Sequence, residues 1–460
     1  MKRTLGEFAR ACGGRLHGAD RPFTSVSTDT RTLGAGELFV ALRGPNFNGN
    51  EFVAAAGKAG AAGAVVDSEQ TAAVSQVIVA DTQAALETVS HQWRLTFSLP
   101  LIGVAGSNGK TTVKEMTAGI LAQAGNCLAT RGNLNNHVGV PLTLLRLEAQ
   151  NRFAVVEMGA NHPGELAALV KIARPTVGLI TNAGAEHLEG FGSLEGAARA
   201  EGEMVAGLEP SATAIINADD EFADLWRGMT PAKIVTFGLK ANADFTALNV
   251  RTEIGAEGFV TRYTLVSPLG RAPIELQLAG NHNVANSLCA AAAAAAAGVK
   301  MEHIIAGLGA VQAVKGRLQF KKTRHGAWLI DDSYNANPSS VHAGIAVLAQ
   351  LAGAKWLVFG QMGELGDFAP EAHTEIGVFA RAHGIDRLFA VGQDAQLTVK
   401  SFGAGAQWFA DTTELAKALD AAVTADVRLL VKGSRSNRLE RVVEALGAAA
   451  PQVLNDGRKG

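Results

Sequence analysis

Cysteine is scarce in this chain. Cys12, Cys127 and Cys289 stand far apart and match no metal-ligand spacing. So sparse and odd a set excludes a disulfide framework and fits free thiols in a reducing compartment. Charge of one sign is also lacking. A formal net charge of −2 removes the electrostatic case for nucleic acid or an anionic membrane as partner. No window approaches the roughly 20 uninterrupted apolar residues of a membrane span. The alanine run 290–297 is far shorter and reads as part of a helix packed closely against a neighbour. The opening residues Met1-Lys2-Arg3-Thr4-Leu5 carry no signal-peptide stretch. No internal repeat of solenoid length is present. What remains is a globular chain of 460 residues, 47% hydrophobic and 18% charged. That is enough for about three domains, each with its own core. A cytoplasmic enzyme acting as a monomer, without membrane insertion, is the expectation.

The spacing predicts a first unit over 1–98, with short strands at 37–42 and 64–67 and an alanine-rich helix over 52–62. From residue 99 strands and helices alternate, with strands at 153–156, 177–180 and 214–216 and helices over 165–173 and 193–208. This alternation predicts a mostly parallel sheet covered on both faces. An antiparallel stretch over 244–277 follows, then a helix over 283–297 closed by Gly298. A third unit, 315–460, repeats the alternation, with strands at 328–330, 355–359, 387–391 and 428–431. Its helices are expected over 340–351, 369–382 and 413–423. It reads as a small doubly wound domain, but no dinucleotide glycine fingerprint follows its first strand.

The most informative segment joins an apolar strand to a helix. Val104-Ala105-Gly106-Ser107-Asn108-Gly109-Lys110-Thr111-Thr112 follows the strand expected at 99–104 and opens a helix over 113–124. Strand, glycine-rich turn, lysine and hydroxyls gather backbone N–H groups and a positive helix end around one point. That suits a polyphosphate, with Lys110 supplying charge and Thr111 available to Mg²⁺. A strict P-loop has glycine where Val104 stands; an ordinary glycine-rich turn with a solvated lysine is the weaker reading.

Further polar groups stand at strand ends, where parallel sheets bind ligands. Glu157 and His187 could hold a second divalent ion; a solvated acid and a loop histidine are the plain alternatives. The loop 131–141, with Asn135 and Asn136, suits a ligand bearing amides, although asparagine and glycine dominate turns anyway. Asn281, Asn283 and Asn286 are more asparagine than a helix cap requires. Asp331-Asp332-Ser333-Tyr334-Asn335-Ala336-Asn337-Pro338 and Lys432-Gly433-Ser434-Arg435 each follow a strand. Two carboxylates and two cations suit a zwitterionic or anionic acceptor; capping and surface charge explain them equally well.

Taken in order, these strings resemble the Mur ligase family over essentially the whole chain. The string 332–338 and Gly360-Gln361-Met362-Gly363-Glu364-Leu365-Gly366 resemble the branch that adds D-alanyl-D-alanine. The Asn-Pro-Arg signature of the branch that adds the third amino acid is missing. The resemblance implies an α/β, three-domain fold. A central P-loop ATPase domain with a parallel sheet (99–314) is flanked by an N-terminal uridine-binding domain (1–98) and a C-terminal Rossmann-like domain (315–460). It implies that ATP activates the carboxylate of a UDP-N-acetylmuramoyl-tripeptide as an acyl phosphate. The amine of D-alanyl-D-alanine then attacks, a step of peptidoglycan precursor synthesis. Lys110 and Arg317 would neutralise the phosphates, with Gly106, Ser107, Asn108, Gly109, Thr111 and Thr112 around them. Thr111 would hold one Mg²⁺, Glu157 and His187 another. Asn283 and Asn286 would contact adenine, Asp332 the ribose, and Tyr334, Asn335 and Asn337 the dipeptide. Thr30, Arg31 and Arg43 lie in strings that resemble the uridine-binding domain, where Asn50 replaces a usual histidine.

One departure concerns the metal. The family carries a lysine, carbamylated to bridge metal ions, where Ala200-Glu201-Gly202-Glu203 has Glu201. The expectation from this departure is that Glu201 supplies the carboxylate directly, or through water because it is shorter, and that no CO₂ is needed. A solvated helix glutamate is the alternative. Two other functions compete with the ligase: a folylpolyglutamate synthase-like ligase, and a nucleotide switch or transport ATPase, for which the glycine turn alone would suffice.

Overall fold

A computed structural model describes residues 3–185, 188–255 and 258–448. The central element is a six-stranded, all-parallel sheet in the order Cys127–Ala129, Phe153–Glu157, Leu101–Ala105, Val177–Ile180, Thr213–Asn217, Lys233–Phe237. Its inner strands are apolar throughout because both faces are covered. On one face pack helices Lys110–Ala124, Asn281–Ala296 and Met301–Gly309; on the other lie Gly139–Leu144, Glu165–Ala173 and Leu194–Ala206. The alanine run does what its small side chains allow. Ala290 to Ala294 are wholly buried, so the helix lies close against helix Lys110–Ala124 and the sheet.

The antiparallel stretch is a three-stranded sheet, Thr246–Gly255, Gly258–Ser267 and Gly270–Leu276. The third unit has strand Gln319–Lys322 antiparallel to Trp328–Asp332. Val427–Lys432, Ala354–Gly360, Arg387–Val391 and Ala406–Phe409 then follow in parallel. The first unit is a five-stranded sheet whose helix Thr82–Arg94 docks on the central unit. There Trp93 Nε1 donates to the Leu147 carbonyl at 3.1 Å, and buried Arg94 donates to the Ala173 carbonyl at 3.0 Å.

Element boundaries differ from the sequence reading in instructive places. The helix over 52–62 shrinks to Val53–Lys58 after a 3₁₀ turn, because Gly60 adopts φ +87° and ends it. The helix after the glycine turn begins at Lys110, not 113. Glu157 is the last residue of its strand rather than the first beyond it. Strands Lys233–Phe237, Gln319–Lys322 and Ala406–Phe409 went unforeseen; their polar residues break the apolar run that marks an inner strand.

Candidate active site

Strand Leu101–Ala105 has Phe153–Glu157 on one side and Val177–Ile180 on the other. The connections therefore leave in opposite directions, and a crevice opens at their carboxyl ends. The glycine turn crosses it. Gly106 has φ +121°, and a β-carbon there would come 2.1 Å from Thr181 Oγ1; at Gly109 (φ +83°) it would come 2.6 Å from Asn286 Oδ1. Only glycine fits either place. Val104 is buried in the strand, which is why the turn starts two residues later than the strict pattern.

The turn is held by the strand loop beside it. Ser107 N donates to the Asn182 carbonyl (2.9 Å) and Asn108 N to Asn182 Oδ1 (3.0 Å). Thr181 Oγ1 donates to the Asn108 carbonyl at 2.6 Å. Thr181 and Asn182 stand in the loop 181–187 that also carries His187, and only the folded chain shows that they hold the turn. Lys110 Nζ donates to the carbonyls of Gly106 (2.6 Å) and Ser107 (3.1 Å). Glu201, on helix Leu194–Ala206, accepts the Gly106 N–H at 2.7 Å.

Glu157 is buried at the strand end. Its Oε1 accepts from Asn135 Nδ2 (2.9 Å) and the Thr111 hydroxyl (3.3 Å), while Oε2 has no hydrogen-bond partner among the described residues. The buried ammonium of Lys114 lies 3.9 Å from that oxygen. An unsatisfied buried carboxylate oxygen beside a hydroxyl is a hard, all-oxygen donor set of the kind Mg²⁺ takes. His187 lies outside the described residues. Asn136 uses its Oδ1 on the N–H groups of Val138 and Gly139, turn chemistry at a helix start.

The third unit closes the crevice into a cavity of about 620 Å³ lined by Lys110, Thr111, Glu157, Asn283, Arg317 and Tyr334, among others. Arg317 Nη2 donates to Thr111 Oγ1 at 3.3 Å, and its guanidinium lies 4.6 Å from the Tyr334 ring centre. Asn337 caps helix Pro338–Ala349 with its side-chain oxygen and donates to Asn108 Oδ1 at 2.8 Å; Asn108 Nδ2 donates to Ser339 Oγ at 3.0 Å. Asn283 and Asn286 are buried in the wall, linked at 3.3 Å.

Each of the two carboxylates has a lysine partner, and Asp332 and Lys432 both line the cavity. Lys432 Nζ donates to Asp332 Oδ2 at 2.6 Å and to the Asn335 carbonyl at 3.0 Å, while Asp331 pairs with Lys321 at 2.7 Å. Burial pushes the Asp332 carboxyl up, opposed by Lys432, by the Leu318 N–H and by Arg317. Burial first, and Lys432 second, push His282 down to about 4; the ring therefore lines the cavity as neutral imidazole. Lys432 is one of the two cations noted from the sequence, whereas His282, between Asn281 and Asn283, is not singled out there.

Thr30, Arg31 and Arg43 lie in the first unit and do not line this cavity. Arg31 is held by Asp29, which it lowers to about 2, and Arg43 by Asp67.

Comparison with known proteins follows the same division. Residues 22–94 match the Mur ligase family catalytic domain, 104–294 the Mur ligase middle domain, and 316–435 the Mur ligase glutamate ligase domain. The UDP-N-acetylmuramoyl-tripeptide–D-alanyl-D-alanine ligase of Escherichia coli (strain K12) is 43% identical over 448 residues, 96% of this chain and 98% of that protein. The crystal structure of MurF from Acinetobacter baumannii superposes with a TM-score of 0.90 at 34% identity, covering 97% and 99% of the two chains. MurF ligase from Thermotoga maritima, solved in complex with ADP, gives 0.80 at 26% identity over 92% and 96%. With its glycine turn, its strand-end glutamate and its third unit closed over both, the chain belongs to the Mur ligase family.

Proposed function

We propose that this protein joins D-alanyl-D-alanine to UDP-N-acetylmuramoyl-tripeptide with hydrolysis of ATP to ADP and phosphate. One observation carries the reading. A phosphate-type turn from the second unit and the string 332–338 from the third wall the same cavity. The first unit (1–98) takes the UDP moiety, 99–314 the ATP, and 315–460 the incoming dipeptide.

ATP lies with its phosphates over the helix start at Lys110 and its adenine toward Asn283 and Asn286. A carboxylate approaching a γ-phosphate brings anions together, so Lys110 and Arg317 neutralise charge as it develops. Thr111 and Glu157, with His187, would hold Mg²⁺, which supplies further positive charge between the two anions. The tripeptide carboxylate displaces ADP and becomes an acyl phosphate. The dipeptide amine attacks its carbonyl, an amide bond forms, and phosphate leaves. Asn337 and Ser339 draw the third unit onto Asn108 and keep water from the acyl phosphate. Tyr334 and Asn335 meet the dipeptide.

We take the protein to act as a monomer, and the three free cysteines suit the cytoplasm. The test is phosphate release with ATP, UDP-muramoyl-tripeptide and D-alanyl-D-alanine, omitting each in turn. Release is expected only with all three present. Release that ignores both acceptor and dipeptide would refute the ligase reading.

A further inference from the structure

The residue Gly106 is gripped at both of its polar groups. Its N–H goes to Glu201 Oε2 at 2.7 Å, and its carbonyl takes Lys110 Nζ at 2.6 Å. The next two amides, of Ser107 and Asn108, go to the Asn182 carbonyl and side chain. Three successive amides of the turn are thus committed to protein acceptors, and anion recognition falls to the helix start at Lys110–Thr112. Of these acceptors only Glu201 is ionisable. It is 8% exposed, sits on helix Leu194–Ala206, and does not line the cavity. Such a buried, charge-assisted hydrogen bond is of the stronger kind. It acts on a residue whose positive φ and close approach to Thr181 leave it little room.

We propose that Glu201 is a positioning residue, an anionic clamp that holds the first amide of the glycine turn from behind. With Gly106 fixed, Lys110 and the helix start are aimed at the triphosphate before nucleotide arrives. This rests on the nucleotide-binding reading of the cavity. It differs from the expectation that Glu201 is a metal ligand, because the clamp acts whether or not a divalent ion is present.

The test has two arms on the full chain. Amide exchange without nucleotide compares the wild type with Glu201→Ala and Glu201→Gln. Exchange in the peptide spanning 101–110 should quicken by about tenfold in Glu201→Ala, the scale of one lost bond to a charged group. Strand Val427–Lys432 should stay unchanged, and Glu201→Gln, which keeps an acceptor, should stay within about threefold. In the second arm, ADP binding is measured in EDTA and in Mg²⁺. Glu201→Ala should weaken it about tenfold in both, with Glu201→Gln recovering most of the loss. Unchanged exchange in Glu201→Ala overturns the proposal. So does an ADP defect confined to Mg²⁺, which marks a metal ligand. If Glu201→Ala loosens the whole chain, Glu201→Gln decides alone, since a metal ligand loses affinity only in Mg²⁺ and a clamp in neither buffer. A wild-type chain that binds no ADP would strike the nucleotide reading and leave the exchange arm to judge Glu201.

Discussion

Asn337 donates its side-chain amide to Asn108 Oδ1 at 2.8 Å, joining two loops 229 residues apart in sequence. The same side chain caps helix Pro338–Ala349 through its oxygen, accepting from Ser340 N at 2.9 Å. Capping and inter-unit contact are therefore separable by atom.

Asn337→Ala loses both and should cost about 1 kcal/mol of stability together with activity. Asn337→Asp keeps the capping oxygen and loses the donor. Urea midpoints should stay near wild type for the aspartate variant while kcat falls. Equal stability losses in the two variants would contradict the division.

Lys432 and Asp332 are register partners on neighbouring parallel strands, and both are buried. Lys432→Met leaves a buried carboxyl without its cation and should destabilise the protein by about 3–5 kcal/mol. Asp332→Asn combined with Lys432→Met should recover part of that loss. Chemical denaturation at pH 7 measures both.

His282 carries a pH signature. Its folded value of about 4 lies below the ordinary value near 6.5, so the unfolded chain binds the extra proton first. Stability from this group is full above pH ~6.5 and is lost as pH falls from there toward ~4. His282→Gln should flatten that part of the curve. Denaturant midpoints at pH 7 and pH 5 should then differ less in the variant than in wild type.

Asn135 supports Glu157 with a 2.9 Å hydrogen bond to Oε1. Removing a partner that orients a metal-binding carboxylate typically costs about 10–100-fold in metal affinity or activity. Asn135→Ala should therefore raise the Mg²⁺ concentration for half-maximal turnover, with little change in thermal midpoint. A variant with an unaltered Mg²⁺ requirement would argue against Glu157 as ligand.

Glu201 is a carboxylate encoded in the chain, so turnover should be the same in bicarbonate-free and bicarbonate-supplemented buffer. Activity that falls on CO₂ removal and returns on its addition would show that a carbamylated group is needed after all.

Much of the fold was legible because its signals are local. The strand, two glycines, lysine and hydroxyls at 101–112 state their geometry within a dozen residues. The buried parallel strands announce themselves as apolar runs. Helices Glu165–Ala173 and Ala369–Ala382 match their expected bounds, since flanking turn residues mark where they stop. Lys233–Phe237 and Gln319–Lys322 were illegible because their lysines, threonine and glutamine break the apolar run that marks a strand, although both pair with strands nearby in sequence.

The sequence by itself determined that a polyphosphate turn exists, that Glu157 stands at a strand end, and that no disulfide, membrane span or basic surface competes with an enzyme's organisation. Tertiary structure alone decided what each polar group faces. Lys432 meets Asp332 because strand Val427–Lys432 pairs with Trp328–Asp332 in that register. Glu201 meets Gly106 because helix Leu194–Ala206 packs behind the turn. The physical reason is the same in both cases. A hydrogen bond or ion pair depends on positions to within a few tenths of an ångström, and only the packed chain brings residues so far apart in sequence to that distance.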